Sequence, residues 1–321
     1  MITVVHLDGL SGINYHRLIS PLLRLREQGL EGLCFIQSLT ELKDMDLNKV
    51  DNLLISRKLS VTNHKEFKKM LVEHNVRLIL DNDDYWKLNK DNPAWGLYEV
   101  YYGPDIKKTI RIADVIWTPS KYLARQMGHL NPLADIQFIN NAVNPDEKQW
   151  NNQRKTSGKE LRFGYLGAAA HINDLKLMGY KFTGKNLTCI KDLGYEEILD
   201  PNQTLKPKGI FEYGSYYKRI DVSLAPLSKN KFNRCKSDLK VTEAAMTKTA
   251  IIASDIDNYN GSIIHGETGL LCATTDEWRE AIESMTKERA KQLGRNLYDS
   301  LVDDPNHNLD SINQTRLNYL S

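Results

Sequence analysis

Two doubly wound α/β domains in succession are what this chain predicts, on three observations. Its 321 residues exceed what one hydrophobic core usually serves. Short apolar runs alternate with helical patterns through the first half, the rhythm of strands joined by crossover helices. After a polar stretch near the middle the same rhythm restarts. The boundaries that follow are 1–148 for the first domain, 149–160 for a linker, 161–302 for the second domain and 303–321 for a tail.

In the first half the predicted strands are Thr3–Leu7, Gly32–Gln37, Asn52–Ser56, Val76–Asp81, Val115–Thr118 and Ile136–Ile139, each a short β-branched or leucine-rich run. Helical periodicity lies between them at Tyr15–Gln28, His64–Glu73, Ile106–Ile112 and Ser120–Met127. The second half predicts strands at Leu161–Leu166, Lys181–Thr183, Asp221–Ala225 and Ala250–Ala253. Its helices are expected from about Asn173, then at Leu239–Met246, Asp276–Met285, Glu288–Leu301 and in the tail at Asp310–Leu320.

Composition narrows the class. Hydrophobic residues make up 41% and charged ones 26%, and no apolar run approaches the ~18 residues a membrane crossing needs. No cationic, apolar leader stands at Met1, where a strand pattern begins at once. Cys34, Cys189, Cys235 and Cys272 are scattered without C-x-x-C spacing, which argues against a zinc site or a disulfide framework. These features predict a cytoplasmic protein. A net charge of only +2 gives no field that would draw the whole molecule to nucleic acid or an anionic membrane. The basic cluster Arg57–Lys69 reads as a solvated helix face or as a contact for an anionic acceptor.

The richest stretch is Asn233–Ser254. Ser237 and Asp238 are N-cap types, and the helix after them turns backbone N–H groups and a positive dipole end toward an anion. Lys236 and Lys240 flank that end, and Glu243 lies one turn beyond Lys240 on the same face. A cation for a diphosphate and a carboxylate for two ribose hydroxyls therefore share one side of a helix. Taken singly, each of these residues also suits an ordinary amphipathic helix with solvated lysines. Taken in order, Ser237-x-x-Lys240-x-x-Glu243, then Thr249–Asp255, Tyr259, His265-Gly-Glu-Thr-Gly-Leu-Leu271 and Glu277-Trp278 resemble the donor half of GT-B glycosyltransferases of the family-four (group 1) type.

That resemblance implies two facing Rossmann-like domains with a cleft between them, the first for acceptor and the second for a nucleotide-diphosphate sugar. It implies that Lys240 binds the leaving diphosphate, that Glu243 binds the donor ribose, and that the tail crosses back to the first domain. Retaining, metal-independent transfer comes with it, needing no cofactor beyond the nucleotide-sugar co-substrate. Many of these enzymes place a second glutamate eight residues before the ribose one, a position held here by Cys235.

Three further constellations fit that frame. Gly164-Tyr-Leu-Gly167-Ala-Ala-Ala-His171-x-x-Asp174 reads as a strand, a small-residue loop and a helix, where backbone can approach a diphosphate. His171 suits a donor contact and equally a cap on its own helix. Asp8-Gly9-Leu-Ser-Gly12-x-x-x-His16-Arg17 repeats the strand, glycine loop and helix in the first domain, with Asp8, His16 and Arg17 as acceptor-side candidates. Asp81-Asn-Asp83-Asp84-Tyr-Trp86 follows a strand and sits at its carboxyl edge, where open α/β sheets bind ligands. Acceptor activation by Asp83 and Asp84 ranks first there, a solvated turn second and Mg²⁺ third. Trp86 and Trp95 suit sugar stacking or core packing.

The function expected is transfer of a sugar from a nucleotide-diphosphate donor, UDP among the candidate nucleotides with base and sugar left open, to an acceptor hydroxyl. Glycan or polymer comes first as acceptor, with a hydroxymethylated DNA base as a further option. Nucleotide-sugar epimerases or hydrolases of the same fold, and a non-catalytic nucleotide-sugar-binding protein, are the alternatives. Oligomeric state is left open.

Overall fold

The computed structural model describes residues 1–151, 158–167, 171–191 and 194–321. Residues 152–157 of the linker assigned to 149–160, and residues 168–170 of the small-residue loop, fall outside them. The chain divides into two compact units: Met1–Ala142 with Cys235–Ser237 and Leu309–Ser321, and Val143–Arg234 with Asp238–Asn308.

The first unit is built on six parallel strands, β1 (Thr3–His6), β2 (Leu33–Ile36), β3 (Asn52–Ser56), β4 (Arg77–Asp81), β5 (Val115–Thr118) and β6 (Asp135–Phe138), in the order β2-β1-β3-β4-β5-β6. β1, β3 and β5 are buried along their whole length, which is why they read as unbroken apolar runs rather than alternating ones. Because every pair is parallel, the chain leaves β1, β3 and β4 at one edge, so the Asp8, Arg57 and Asp83-Asp84 loops lie along it. Gly9 has φ +80°, a left-handed turn that lets the chain leave β1 sharply.

The helical run after that turn starts at Gly12, with Ser11 Oγ accepting from Asn14 N at 3.1 Å. It widens through Tyr15–Ile19 and continues as α1 (Ser20–Glu27). Leu18, Leu22 and Leu25 are its buried stripe, packed with Val5, Leu54, Ile79 and Trp117. Each such leucine contributes about 2 kcal/mol of apolar burial. The last helix, Leu309–Leu320, adds Leu309, Ile312 and Leu320 to this same core. Arg24 holds it by a two-pronged bond to Asp310 at 2.8 and 2.9 Å, and Asn313 Nδ2 donates to Pro21 O at 3.0 Å.

The second unit repeats the plan with β7 (Arg162–Tyr165), β8 (Asn186–Ile190), β9 (Gln203–Leu205), β10 (Val222–Ala225), β11 (Ala250–Ser254) and β12 (Leu270–Cys272), in the order β12-β11-β10-β7-β8-β9, all parallel. One face packs Phe163, Leu187, Trp278 and Ile282, the other Tyr217, Ile220, Val241, Ala244 and Leu297. Gly164 fits because a Cβ there would stand 2.4 Å from Ile220 Cγ2, and Gly167 because its Cβ would stand 2.2 Å from Tyr165 Oη. Both glycines thus have a packing reason apart from any phosphate.

One expected strand fails here. Lys181–Thr183 is not a strand: Gly184 turns the chain with φ +78°, and the strand follows at β8. β9 escapes a sequence reading because it is three residues long at the sheet edge, with Gln203 and Thr204 exposed.

Candidate functional site

In the second unit, the helix Leu239–Met246 joins β10 to β11 and carries Lys240 and Glu243 on one side. Glu243 is only 2% exposed, and its Oε2 accepts from Lys240 Nζ at 2.7 Å and from Tyr217 Oη at 2.9 Å. Lys240 Nζ also donates to Tyr213 Oη at 2.6 Å and lies 4.8 Å from that ring's centroid. Tyr213 Oη in turn donates to Leu166 O at 2.6 Å, at the end of β7. Burial works to lower the Lys240 pKa, but Glu243 and Tyr213 outweigh it and hold the ammonium above its ordinary range. Burial pushes the Tyr213 phenol up to about 12, against the pull of Lys240. Tyr213 and Tyr217 were not singled out in the sequence. They lie 27 and 26 positions before the residues they bind, in a Tyr-rich turn that reads as core.

The helix start is built differently from expectation. Asp238 is the N-cap, yet its side chain makes no capping bond. Its Oδ2 accepts from Ser262 Oγ at 2.5 Å and pairs with His307 Nε2 at 2.7 Å, while His307 Nδ1 meets Asp304 Oδ2 at 2.5 Å. His307 is buried, a state that lowers its pKa, but the two carboxylates raise it above the ordinary value. Ser237 belongs to the first unit, where its Oγ accepts from Asn141 Nδ2 at 2.7 Å.

His171 heads the short helix Ile172–Leu175 without a side-chain capping bond, so the capping reading fails. Its Nδ1 pairs instead with Asp174 Oδ2 at 2.8 Å. Asp174 is buried, and its Oδ1 accepts from Ser228 N and Asn233 Nδ2, each at 2.9 Å, and from Ser228 Oγ. Burial would raise this carboxyl's pKa, but bonds from His171 and Ser228 hold it below the ordinary range. Tyr259 is fully packed in the core beneath, its phenol raised by burial.

In the first unit the acidic turn is a network of cations and carboxylates. Arg57 Nε donates to Asp83 Oδ1 at 2.9 Å and its other arm bonds Asp84 Oδ2, while Lys236 Nζ meets Asp84 Oδ1 at 2.5 Å. Arg57 holds φ +61°, a left-handed conformation costing a non-glycine residue about 1 kcal/mol. Asp81 is turned inward, its two oxygens held by Arg17 at 2.9 and 2.8 Å. The three carboxylates therefore do not converge, and among the described residues no three His, Cys, Asp or Glu side chains form a metal cage.

Arg17 itself is 1% exposed and also binds Ile139 O and Asn141 Oδ1, which corrects its placement as an acceptor contact. A bidentate partner 64 residues away draws it inside. His16 is likewise buried, edge-on to Tyr15. Asp8 remains exposed, 3.7 Å from Lys58, and Gly12 has open space around its Cβ direction. Cys235 and Trp86 are buried, whereas Trp95 lines an open hollow of about 550 Å³ with Lys90 and Glu99.

Residues 202–288, which include Tyr213, Tyr217, Lys240, Glu243 and Tyr259, match the family described as Glycosyl transferases group 1. Among solved structures the chain is similar to Anabaena HepE in complex with UDP-glucose, at TM-score 0.62 and 12% identity, covering 100% of this chain and 99% of that one. It is similar to TarM at TM-score 0.59 and 15% identity, over 84% of this chain and 54% of TarM, so it spans about half of TarM's length. A glycosyltransferase from Rickettsia africae matches at TM-score 0.59 and 12% identity, covering 99% and 97%. No curated protein sequence matches the chain. The two parallel six-stranded sheets are those of the GT-B fold. No helix among the described residues is long and apolar enough to cross a membrane.

Proposed function

We propose that this chain, a GT-B glycosyltransferase by fold and by the family match of its second unit, transfers a glycosyl group from a UDP-sugar to an acceptor hydroxyl. The observation that carries the reading is the Lys240–Glu243 pair, 2.7 Å apart on one helix side and held in place by Tyr213 and Tyr217. Lys240 meets charge developing on the departing diphosphate, and Glu243 accepts from ribose hydroxyls. The structure of HepE with UDP-glucose supports uridine as the base. Lys236 is a second cation in this reading, and Asp83 and Asp84 are assigned to the acceptor, a glycan or polymer hydroxyl. Retention of anomeric configuration and independence from metal complete the proposal, with protein cations and a helix end doing the work of a metal.

A thermal-shift series of nucleotide-sugars tests it. A donor at 100 times its dissociation constant stabilises the fold by about 2.7 kcal/mol, a rise of roughly 5–10 °C in Tm. UDP-sugars should raise Tm where adenosine and guanosine diphosphate sugars do not, and transfer should require acceptor. Donor breakdown at full rate without acceptor would favour hydrolysis or epimerisation, and no shift with any nucleotide-sugar would remove the reading.

A further inference from the structure

Lysine is a poor anchor when left alone. Its four-carbon stem has many rotamers to lose, so an ammonium that must meet a diphosphate at one point gains from being held there beforehand. Glu243 supplies charge for this but not direction, since a single oxygen accepts from Lys240 and Tyr217 alike.

Tyr213 supplies the direction. Its hydroxyl has one proton, and Leu166 O takes it at 2.6 Å. The oxygen can then only accept, and what it accepts is an N–H of Lys240, also at 2.6 Å. The ring is fixed in turn by Tyr216, edge-on at 5.4 Å and 89°, whose own hydroxyl donates to Lys206 O at 2.7 Å. Two of the three ammonium hydrogens are thereby assigned, to Glu243 and Tyr213, which leaves the third to donate to a ligand. The carbonyl at the other end of this relay belongs to Leu166, one residue before Gly167 and the small-residue loop.

We infer that Tyr213 is a positioning residue for diphosphate recognition: its hydroxyl ties the Lys240 ammonium to Leu166 O at the end of β7, so that the lysine is held in one place and one direction. The inference rests on the reading that Lys240 faces the leaving diphosphate. A tyrosine serving only the core would influence melting, and its loss would act alike on every ligand.

Calorimetric titration of the full chain with UDP and with uridine separates these roles, using Tyr213→Phe, Lys240→Met and the double variant. The ratio of the two affinities reports the diphosphate alone. Tyr213→Phe keeps the ring and should lower that ratio about fivefold, the net worth of one typical intramolecular hydrogen bond, leaving uridine affinity unchanged. In the Lys240→Met background the same change should have no further effect on the ratio. An unchanged ratio in Tyr213→Phe, an equal loss for both ligands, or the same fivefold loss without the lysine would overturn the inference while sparing the function. Wild-type chain that fails to bind UDP, or Lys240→Met that keeps the full ratio, would instead overturn the functional reading and the inference with it.

Discussion

Lys240→Ala separates catalysis from stability. In the folded chain the lysine faces a carboxylate that is 2% exposed, while Lys240 itself is 27% exposed. Removing one partner of a fully buried pair costs about 3–5 kcal/mol. Here water can reach the vacated space and Tyr217 still donates to Glu243 at 2.9 Å, so a loss of about 2 kcal/mol is expected, or roughly 4–8 °C in Tm. Catalysis should fall further. Losing one preorganised charge contact to the leaving group costs about 3 kcal/mol in the transition state, a decrease in kcat of roughly a hundredfold. The assay is steady-state transfer from the UDP-sugar found by thermal shift, at a temperature well below the variant's Tm. A variant that melts early yet turns over at the wild-type rate would refute the reasoning, because the pair would then serve only the fold.

Other expectations can be checked on the same preparations. Asp84→Asn removes the charge that Lys236 meets at 2.5 Å, and should reduce transfer tenfold or more while sparing calorimetric donor affinity; parallel loss of donor affinity would place this turn at the nucleotide. The raised His307 pKa means that its protonated form stabilises the fold fully below about pH 6.5, with the contribution lost as pH rises through the folded value. The depressed Asp304 acts oppositely, its contribution being lost as pH falls below the ordinary carboxylate range. His307→Gln should therefore flatten the fall of Tm above pH 6.5, and an unaltered profile would show that the cluster with Asp238 and Asp304 does not govern it. Turnover should survive EDTA; complete loss restored by Mg²⁺ or Mn²⁺ would end the metal-independent reading.

What could be read in advance was what is local. Lys240 and Glu243 were legible because i and i+3 on a helix must share a side. The buried parallel strands were legible because both faces are covered and the apolar run is unbroken. What escaped was set by partners distant in sequence. Asp238 looked like a cap, but His307, 69 residues on, and Ser262 claim its carboxylate. Arg17 reads as an acceptor-side candidate until Asp81, at the end of a buried strand, supplies a bidentate partner. Gly164 and Gly167 looked like openings for phosphate, although Ile220 and Tyr165 already leave no room for a side chain. Arg57 passed as one of several basic residues, and only its left-handed backbone and its two aspartates mark it out.

The helix Leu309–Leu320 shapes how the chain must fold. Leu309, Ile312 and Leu320 complete a core whose other members, from Val5 to Ala142, are synthesised first. A ribosome releasing the chain in order makes Leu18, Leu22 and Leu25, with their partners Val5, Leu54, Ile79 and Trp117, long before Leu309, Ile312 and Leu320 exist to complete that core. The first unit made is therefore the last to close, and the second, whose chain lies wholly between residues 143 and 308, can reach its native state while the first still waits. A nascent chain in that interval leaves unshielded the part of the core that Leu309, Ile312 and Leu320 cover, the kind of transient apolar exposure from which aggregation starts.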